Sequence, residues 1–204
     1  MRIGSFVGFA VLATLATSCA PAGSTESSAE TCDIKKFEWD ITKKWRLVVL
    51  DEPLPVRPNV RFEMRAEPYE PVVAELTGAN KAVSESDIST ALLEEARKDL
   101  PGIGGLAKRG SKTTAEARKM SAKFNNRAQV VYYRGLRTIE ASYHVSCVGN
   151  NSLDSRGHVF TWDTHSPTTG LIDCLASPKD NANSVLAKSA VRKRCPKNSP
   201  ATGA

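Results

Sequence analysis

The sequence predicts an α+β fold: an antiparallel sheet, including a C-terminal three-strand meander, covered by two central helices and one C-terminal helix. Apolar and polar residues alternate around positions 37–66 and again at 129–162, a pattern typical of half-buried strands. Two segments between these regions, and one after them, carry apolar residues at helical spacing. Because helices and strands are segregated along the chain, the pattern favours α+β over alternating βαβ units.

The first group of strands covers the N-terminal third of the domain. Residues 37–42 alternate as a strand, and the apolar run at 45–50 continues it after a bulge or forms a second strand, with Lys43-Lys44 as the break. Residues 60–66 predict another amphipathic strand, and residues 72–77 predict a short one.

Two central helices are predicted next. Ser84 or Ser86 caps the first, and Asp87 lies in its first turn. Thr113 with Glu116 forms a capping box for the second. An inward stripe of apolar residues is expected on the second helix: Ala117, Met120 and Phe124. Asn125-Asn126 is expected to end this helix.

The meander and a last helix complete the domain. Residues 129–134 and 137–148 are predicted as strands joined by a tight turn at Gly135-Leu136, and residues 158–162 as the third strand. The last helix is expected from about Ala182 to Arg194, capped by Asp180 or Asn181.

The N-terminal residues indicate export. Arg2 is followed by an uncharged, mostly apolar run from Ile3 to Ala16, and two small residues precede Cys19. This order resembles the signal peptide of bacterial lipoproteins, although Ala16 stands where that family usually has Leu. The resemblance implies a lipid, such as palmitate, on Cys19 and a domain anchored to the cell membrane outside the cytoplasm of a bacterium. Ordinary secretion is the alternative.

Four regions follow from this interpretation. Residues 1–18 form the signal peptide, and residues 19–31 form a small, polar tether rich in Pro, Gly and Ser. Residues 32–195 form a single disulfide-bonded domain, and residues 196–204 form a disordered tail. We expect a monomer.

Four of the five cysteines remain after Cys19 is set aside: Cys32, Cys147, Cys174 and Cys195. An even number suits complete pairing in an oxidising compartment. The favoured pairing is Cys147–Cys174 with Cys32–Cys195. The alternative is Cys174–Cys195 with Cys32–Cys147, and the sequence cannot choose between them.

Charge is distributed unevenly along the chain. Residues 20–99 carry 11 Lys or Arg and 16 Asp or Glu, a net −5, whereas residues 100–204 carry 16 and 6, a net +10. A basic surface outside the cytoplasm can contact anionic lipid or wall polymer, whereas nucleic acid is not expected there. The candidate contacts on the second predicted helix and the loop before it are Lys108, Arg109, Lys112, Arg118, Lys119, Lys123 and Arg127; Arg192–Lys197 forms a second cluster.

Catalytic and cofactor motifs are weak. Residues 105–113 are compared with a phosphate-binding GxxxxGK loop, but Ser111 breaks the spacing, which favours a flexible basic loop. The three histidines lack zinc-ligand spacing, so neither a metal nor another cofactor is expected. Asp163 and His165 lie close enough in sequence to join a serine in a triad, but no nucleophile turn accompanies them.

The sequence thus favours a non-enzymatic envelope protein, lipid-anchored outside the cytoplasm, that binds a ligand or partner of unknown specificity. A secreted binder of anionic envelope surfaces is the first alternative. A small extracellular hydrolase is the second. The aromatic residues of the predicted meander fit either core packing or a ligand groove.

Overall fold

The described part of the chain has an α+β fold made mostly of antiparallel sheet, which confirms the predicted class. The computed structural model describes Cys32 and residues 35–65, 68–113, 119–181 and 183–203, all within the compact unit Thr31–Ala204. The predicted signal peptide, Cys19 and the tether lie outside the described residues. The elements are β1 (Lys35–Leu50), β2 (Leu54–Val56), β3 (Phe62–Arg65), β4 (Glu75–Leu76), α1 (Glu85–Asp99), β5 (Lys119–Ala122), β6 (Ala128–Cys147), β7 (Ser155–Trp162), β8 (Thr168–Asp173) and α2 (Val185–Arg194).

Strand β6 is the centre of a six-stranded sheet. It pairs with β1 along one edge, and β2 continues that edge. Along its other edge β6 pairs first with β8 and then with β7, and β4 pairs with β7. Strands β3 and β5 form a separate two-stranded sheet.

The predicted turn at Gly135-Leu136 is wrong, so the three-strand meander is not present as predicted. Gly135 lies inside β6, opposite Leu47 of β1 and Thr168 of β8. A β-carbon built on Gly135 would lie 2.4 Å from Cδ1 of Leu186 in α2. The missing side chain therefore makes room for a packed helix and does not mark a turn.

Strand β1 is one strand with a bulge, as in the first of the two predicted alternatives. Lys43 and Lys44 remain paired with β6, so the predicted break does not occur there. The register shifts between Leu47 and Val49, where Val48 is the extra residue.

Both helices pack on the same face of the sheet. Odd-numbered residues of β6 point to this face, because strand side chains alternate. At one end these residues form a cluster with α1, comprising Ile139, Ala141, Tyr143 and Val145 with Ile88, Leu92 and Ala96. At the other end they form a cluster with α2, comprising Val131 and Tyr133 with Leu186, Ala187, Ala190 and Val191.

In the described part of the chain, an apolar cluster covers the opposite face of the sheet at one end only. There, Val130, Tyr132 and Leu136 of β6 join a third apolar cluster with Val72 and Trp162. At the other end, this face is partly open to solvent and carries polar side chains of β1 and β6. These are Glu38, Asp40 and Thr42 of β1 and Glu140, Ser142 and His144 of β6.

Each helix begins with a serine cap. The Ser84 hydroxyl accepts a hydrogen bond from the Asp87 amide, and the Asp87 carboxylate accepts one from the Ser84 amide, which completes a capping box. This confirms Ser84 as one of the two predicted caps. Helix α2 is capped by Ser184, not by Asp180 or Asn181 as predicted.

The second predicted central helix is wrong at its C-terminal part. Residues 119–122 form strand β5, in which Met120 pairs with Met64 and Ala122 with Phe62. The Thr113 hydroxyl accepts a hydrogen bond from the Val72 amide at 3.0 Å instead of capping a helix. Apolar residues at 120, 122 and 124 also fit a strand period of two, and pairing with β3 decides between the two periods. Residues 114–118 lie outside the described part.

Residues 196–203, predicted to be disordered, are ordered and packed. Pro200–Thr202 forms a short 3₁₀ turn, and the Ala201 amide donates a hydrogen bond to the Cys174 carbonyl at 3.3 Å. Ala201 is buried, so the tail closes over α2.

Two disulfides cross-link the fold, in the alternative pairing rather than the favoured one. Cys32 is bonded to Cys147 and Cys174 to Cys195. The favoured pairing of Cys147 with Cys174 is wrong because Cys147 ends β6 beside β1, where Lys35 is its register partner. Cys174 lies beyond β8 at the opposite end of β6.

Candidate functional site

The basic residues singled out in the sequence do not share one helix face. Lys108 is exposed on the loop after α1, and Lys123 and Arg127 are exposed on the connection between β5 and β6. Arg109 forms an ion pair with Glu85 of α1. Lys119 is in β5, and Arg118 lies outside the described residues. Lys112 lines a small cavity together with Arg134 of β6.

Asp163 and His165 are close together but are not oriented as in a catalytic triad. The Asp163 carboxylate accepts a hydrogen bond from the backbone amide of His165 at 3.0 Å, not from its ring. Nδ1 of the ring lies 3.0 Å from the Thr164 hydroxyl. A triad needs the carboxylate on the imidazole, where it orients the base.

The predicted aromatic group is mostly core. Tyr132, Tyr133, Tyr143 and Trp162 are all buried, and they divide among the three apolar clusters. Phe160 is half-buried, and the Arg46 guanidinium lies 5.1 Å from its ring centre. Core packing, the first of the two predicted roles, accounts for the tyrosines and the tryptophan.

A larger recess lies beside helix α2, and we call it the α2 cleft. Its volume is about 720 Å³, within the roughly 300–1,000 Å³ typical of small-molecule sites. Apolar and polar groups both contribute to its lining: Pro178, Lys179, Asn181, Asn183, Lys188, Val191, Arg192, Ala201 and Thr202.

The walls of the α2 cleft are held in place from several sides. The Cys174–Cys195 disulfide ties the end of α2 to the segment after β8. The Asn181 amide group donates to the Asp173 carbonyl at 3.0 Å, and its carbonyl oxygen accepts from the Asp173 amide at 3.0 Å. The Thr202 hydroxyl bonds to the Lys197 carbonyl at 2.8 Å. A site fixed in this way loses little ordering entropy when it binds a ligand.

Three cations of the α2 cleft are available to a ligand. Lys179, Lys188 and Arg192 form no ion pair or side-chain hydrogen bond with any described residue. No Asp or Glu is among the described lining residues. The cleft therefore combines an apolar floor with unneutralised positive charge.

The neighbouring cations of α2 are engaged elsewhere. Lys193 donates to the Tyr69 hydroxyl at 2.9 Å, and this hydrogen bond raises the pKa of the lysine above its ordinary value. Arg194 pairs with Glu52 at 2.7 Å and lies 5.4 Å from the Tyr69 ring centre. Only some of the basic residues that end α2 thus remain free for a ligand.

A smaller recess lies on the opposite face of the sheet, and we call it the Arg134 cavity. Its volume is about 220 Å³. The residues that line it come from β1, β6, β7 and two connecting segments: Val48, Lys112, Thr113, Arg134, Leu136, Trp162 and Thr164.

The sequence signals for these two sites were incomplete. Lys188 and Arg192 stand four residues apart, which places them on the same side of α2, but only Arg192 was within a predicted basic cluster. Lys179 and Arg134 were not singled out, because each reaches its site through tertiary packing that no local motif reports. Lys112 was singled out as part of a basic loop, but the cavity that it lines with Arg134 was not predicted.

Comparison with protein-family models, with curated proteins and with solved structures finds no match to this chain. Neither α1 nor α2 is long and apolar enough to cross a membrane. In the described ranges, no group of three or more His, Cys, Asp or Glu residues is arranged to hold a metal ion.

Proposed function

We propose that this protein is a non-enzymatic, lipid-anchored domain outside the cytoplasm that binds a small anionic ligand in the α2 cleft. The observation that carries the proposal is the set of three unpaired cations, Lys179, Lys188 and Arg192, around an apolar floor. A ligand with a carboxylate, sulfonate or phosphate group and an adjoining apolar body matches both parts of the lining.

The apolar and charged parts of the cleft have separate roles in binding. Val191 and Ala201 offer surface that an apolar group can cover, which contributes the non-directional part of the affinity. Arg192 and Lys188 orient the charged end, since a guanidinium binds an oxyanion through two parallel hydrogen bonds.

An amphiphilic anion tests the cleft directly. We expect the fluorescent probe 8-anilinonaphthalene-1-sulfonate to bind the full mature chain, with emission reporting burial of its rings. Arg192→Gln should weaken binding roughly tenfold, the scale of one charge-assisted hydrogen bond. Lys197→Gln is the matched control, because Lys197 is exposed and is not among the residues that line the cleft.

The comparison between the two variants decides the outcome. Equal losses for Arg192→Gln and Lys197→Gln would mean that the probe senses overall charge, and the proposed site would be wrong. Unchanged affinity in Arg192→Gln, with a native circular dichroism spectrum, would also reject it.

The lipid anchor rests on the N-terminal pattern and needs its own experiment. We expect metabolic labelling with a clickable fatty acid to label the wild-type protein in a bacterial host and not the Cys19→Ala variant. Label that survives Cys19→Ala, or no label on the wild type, would leave ordinary secretion as the explanation of the signal peptide.

The two alternatives have less support. An anionic-surface binder would use a basic face, and the basic residues at 108–127 are distributed over several segments. A hydrolase would use Asp163 and His165, whose hydrogen bonds do not match a triad. Ligand binding in a cleft is therefore the function that the geometry supports best.

A further inference from the structure

The Arg134 cavity differs from the α2 cleft in size and in the kind of ligand it can hold. At about 220 Å³ it falls below the roughly 300 Å³ at which small-molecule sites begin. It has the volume of about seven water molecules, at roughly 30 Å³ each. A single compact group with a few waters fits this space.

The charged groups in the cavity are both positive. Arg134 and Lys112 line it, and no Asp or Glu is among the lining residues that the structure describes. Neither side chain forms an ion pair or hydrogen bond with a described residue. Two unneutralised cations in one small recess attract an anion of matching charge.

One atom of Arg134 is buried without an acceptor. Its Nε is inaccessible to solvent and has no hydrogen-bond partner among the described residues. Arg134 lies in β6 between Tyr132 and Leu136, on the face of the third apolar cluster. Because this atom is inaccessible to solvent, a ligand in the cavity can reach Arg134 only through its terminal guanidinium nitrogens.

Two hydroxyl groups complete the lining. The Thr113 hydroxyl oxygen accepts a hydrogen bond from the Val72 amide at 3.0 Å, which leaves its own hydrogen free to donate. Thr164 also lines the cavity, and its hydroxyl donates a hydrogen bond to the Gly105 carbonyl at 3.3 Å. The cavity thus offers donors from two cations and from the Thr113 hydroxyl.

The site differs from a phosphate-binding glycine loop, even though Lys112 and Thr113 come from the segment that was compared with one. The Gly110 amide donates to the Ala74 carbonyl at 2.8 Å, and the Ser111 amide donates to the Lys108 carbonyl at 2.9 Å. Both amides already donate hydrogen bonds within the fold, so they are not free to bind a phosphate group. Side chains, and not a cradle of backbone amides, would therefore hold the ligand.

We infer that the Arg134 cavity is a binding site for one tetrahedral oxyanion, a phosphate group held by Arg134 and Lys112 with Thr113 as a hydroxyl donor. Its negative charge complements the two cations, and its oxygens accept hydrogen bonds from the terminal guanidinium nitrogens of Arg134, from Lys112 and from the Thr113 hydroxyl. The phosphate group comes either from free inorganic phosphate or from the headgroup of a membrane lipid. This site is separate from the α2 cleft and does not depend on the function proposed for it.

Isothermal titration of the folded mature chain with inorganic phosphate tests the inference. We expect one site per chain, weakened at least tenfold by Arg134→Gln and by Lys112→Gln. Arg134→Lys should recover only part of the loss, because it restores the charge and not the planar fork. Lys108→Gln is the matched control, since Lys108 is exposed on the same segment and is not among the lining residues.

A second arm separates the two sources of phosphate. Vesicles of phosphatidylglycerol should bind the wild type and lose binding in Arg134→Gln if the ligand is a lipid headgroup. Binding of free phosphate without vesicle binding would identify a solute site. Either result supports the inference.

Three outcomes would overturn it. They are no binding of phosphate or vesicles by the wild type, unchanged binding in Arg134→Gln with a native circular dichroism spectrum, and an equal loss in Lys108→Gln. If Arg134→Gln fails to fold, the Lys112→Gln variant decides, because Lys112 is exposed and contributes little to the core.

Discussion

Asp87 combines two roles at a single residue. Its carboxylate accepts a hydrogen bond from the Ser84 amide at 2.9 Å and lies 3.0 Å from the Lys35 ammonium. Asp87 therefore both caps α1 and links that helix to β1. The hydrogen bond from the Ser84 amide, helped by Lys35, holds the pKa of Asp87 below its ordinary value. The ionised form is therefore the one that stabilises the fold.

The Asp87→Asn substitution should lower the free energy of unfolding at pH 7 by about 1 kcal/mol, the scale of a capping interaction. A carboxyl group with a depressed pKa stabilises the fold above its unfolded-state pKa, and the effect is lost as pH falls through the folded-state pKa. The difference between wild type and variant should thus be full at pH 7 and shrink below pH 4. Urea unfolding of wild type and Asp87→Asn at pH 7 and at about pH 3 measures this difference.

Glu94→Gln is the control for this substitution. Glu94 is exposed in the middle of α1, and it should change stability by less than 0.5 kcal/mol. A difference between wild type and Asp87→Asn that stays constant from pH 7 to pH 3 would contradict the role of the ionised carboxylate.

At the scale of elements, strand β6 and helix α2 depend on one another. Gly135 faces Leu186, and an added β-carbon would lie 2.4 Å and 2.5 Å from its two methyl carbons. Leu186 is itself buried in the α2 cluster. The close approach of strand and helix therefore requires glycine at this position.

Gly135→Ala should destabilise the protein by about 1–3 kcal/mol, the usual cost of overpacking a core. Leu186→Ala alone should cost about 2–5 kcal/mol. The double variant should cost clearly less than the sum of the two, because the smaller residue makes room for the new methyl group. Guanidinium unfolding of all three variants measures the coupling, and strictly additive costs would show that Gly135 acts through its backbone instead.

The same elements show what the sequence could and could not predict. The alternation in β1 and the caps of α1 are local signals, and both predicted the structure correctly. Gly135 and residues 119–122 were mispredicted because their local patterns fit two structures equally well. Contacts distant in sequence, with Leu186 in one case and β3 in the other, select between them.

The candidate sites were harder to predict than the fold for the same reason. Lys179, Lys188 and Arg192 are brought together by the ordered tail and a disulfide, and Arg134 of β6 and Lys112 of the loop after α1 line one cavity on the same face of the sheet. The pairing of four cysteines likewise depends on which strand ends meet. The sequence shows the number of charged residues and cysteines, but it does not show which cations share a site or which cysteines pair.

At the scale of the whole molecule, the two disulfides fasten different parts of the fold. Cys32–Cys147 links residues 115 apart, at the α1 end of the sheet, while Cys174–Cys195 links residues 21 apart beside the α2 cleft. Loop-entropy arguments assign them about 4.8 and 3.3 kcal/mol. The longer one stabilises the overall topology, and the shorter one fixes the walls of the candidate site.

The position of Cys32 also has a mechanical consequence. Cys32 comes just before β1, and its bond to Cys147 connects it to the last residue of β6. Without this bond, a pull on the preceding residues would peel β1 from β6 one pair at a time, beginning at Lys35. With it, tension passes into the central strand through a covalent bond, and the edge strand carries almost none of the load.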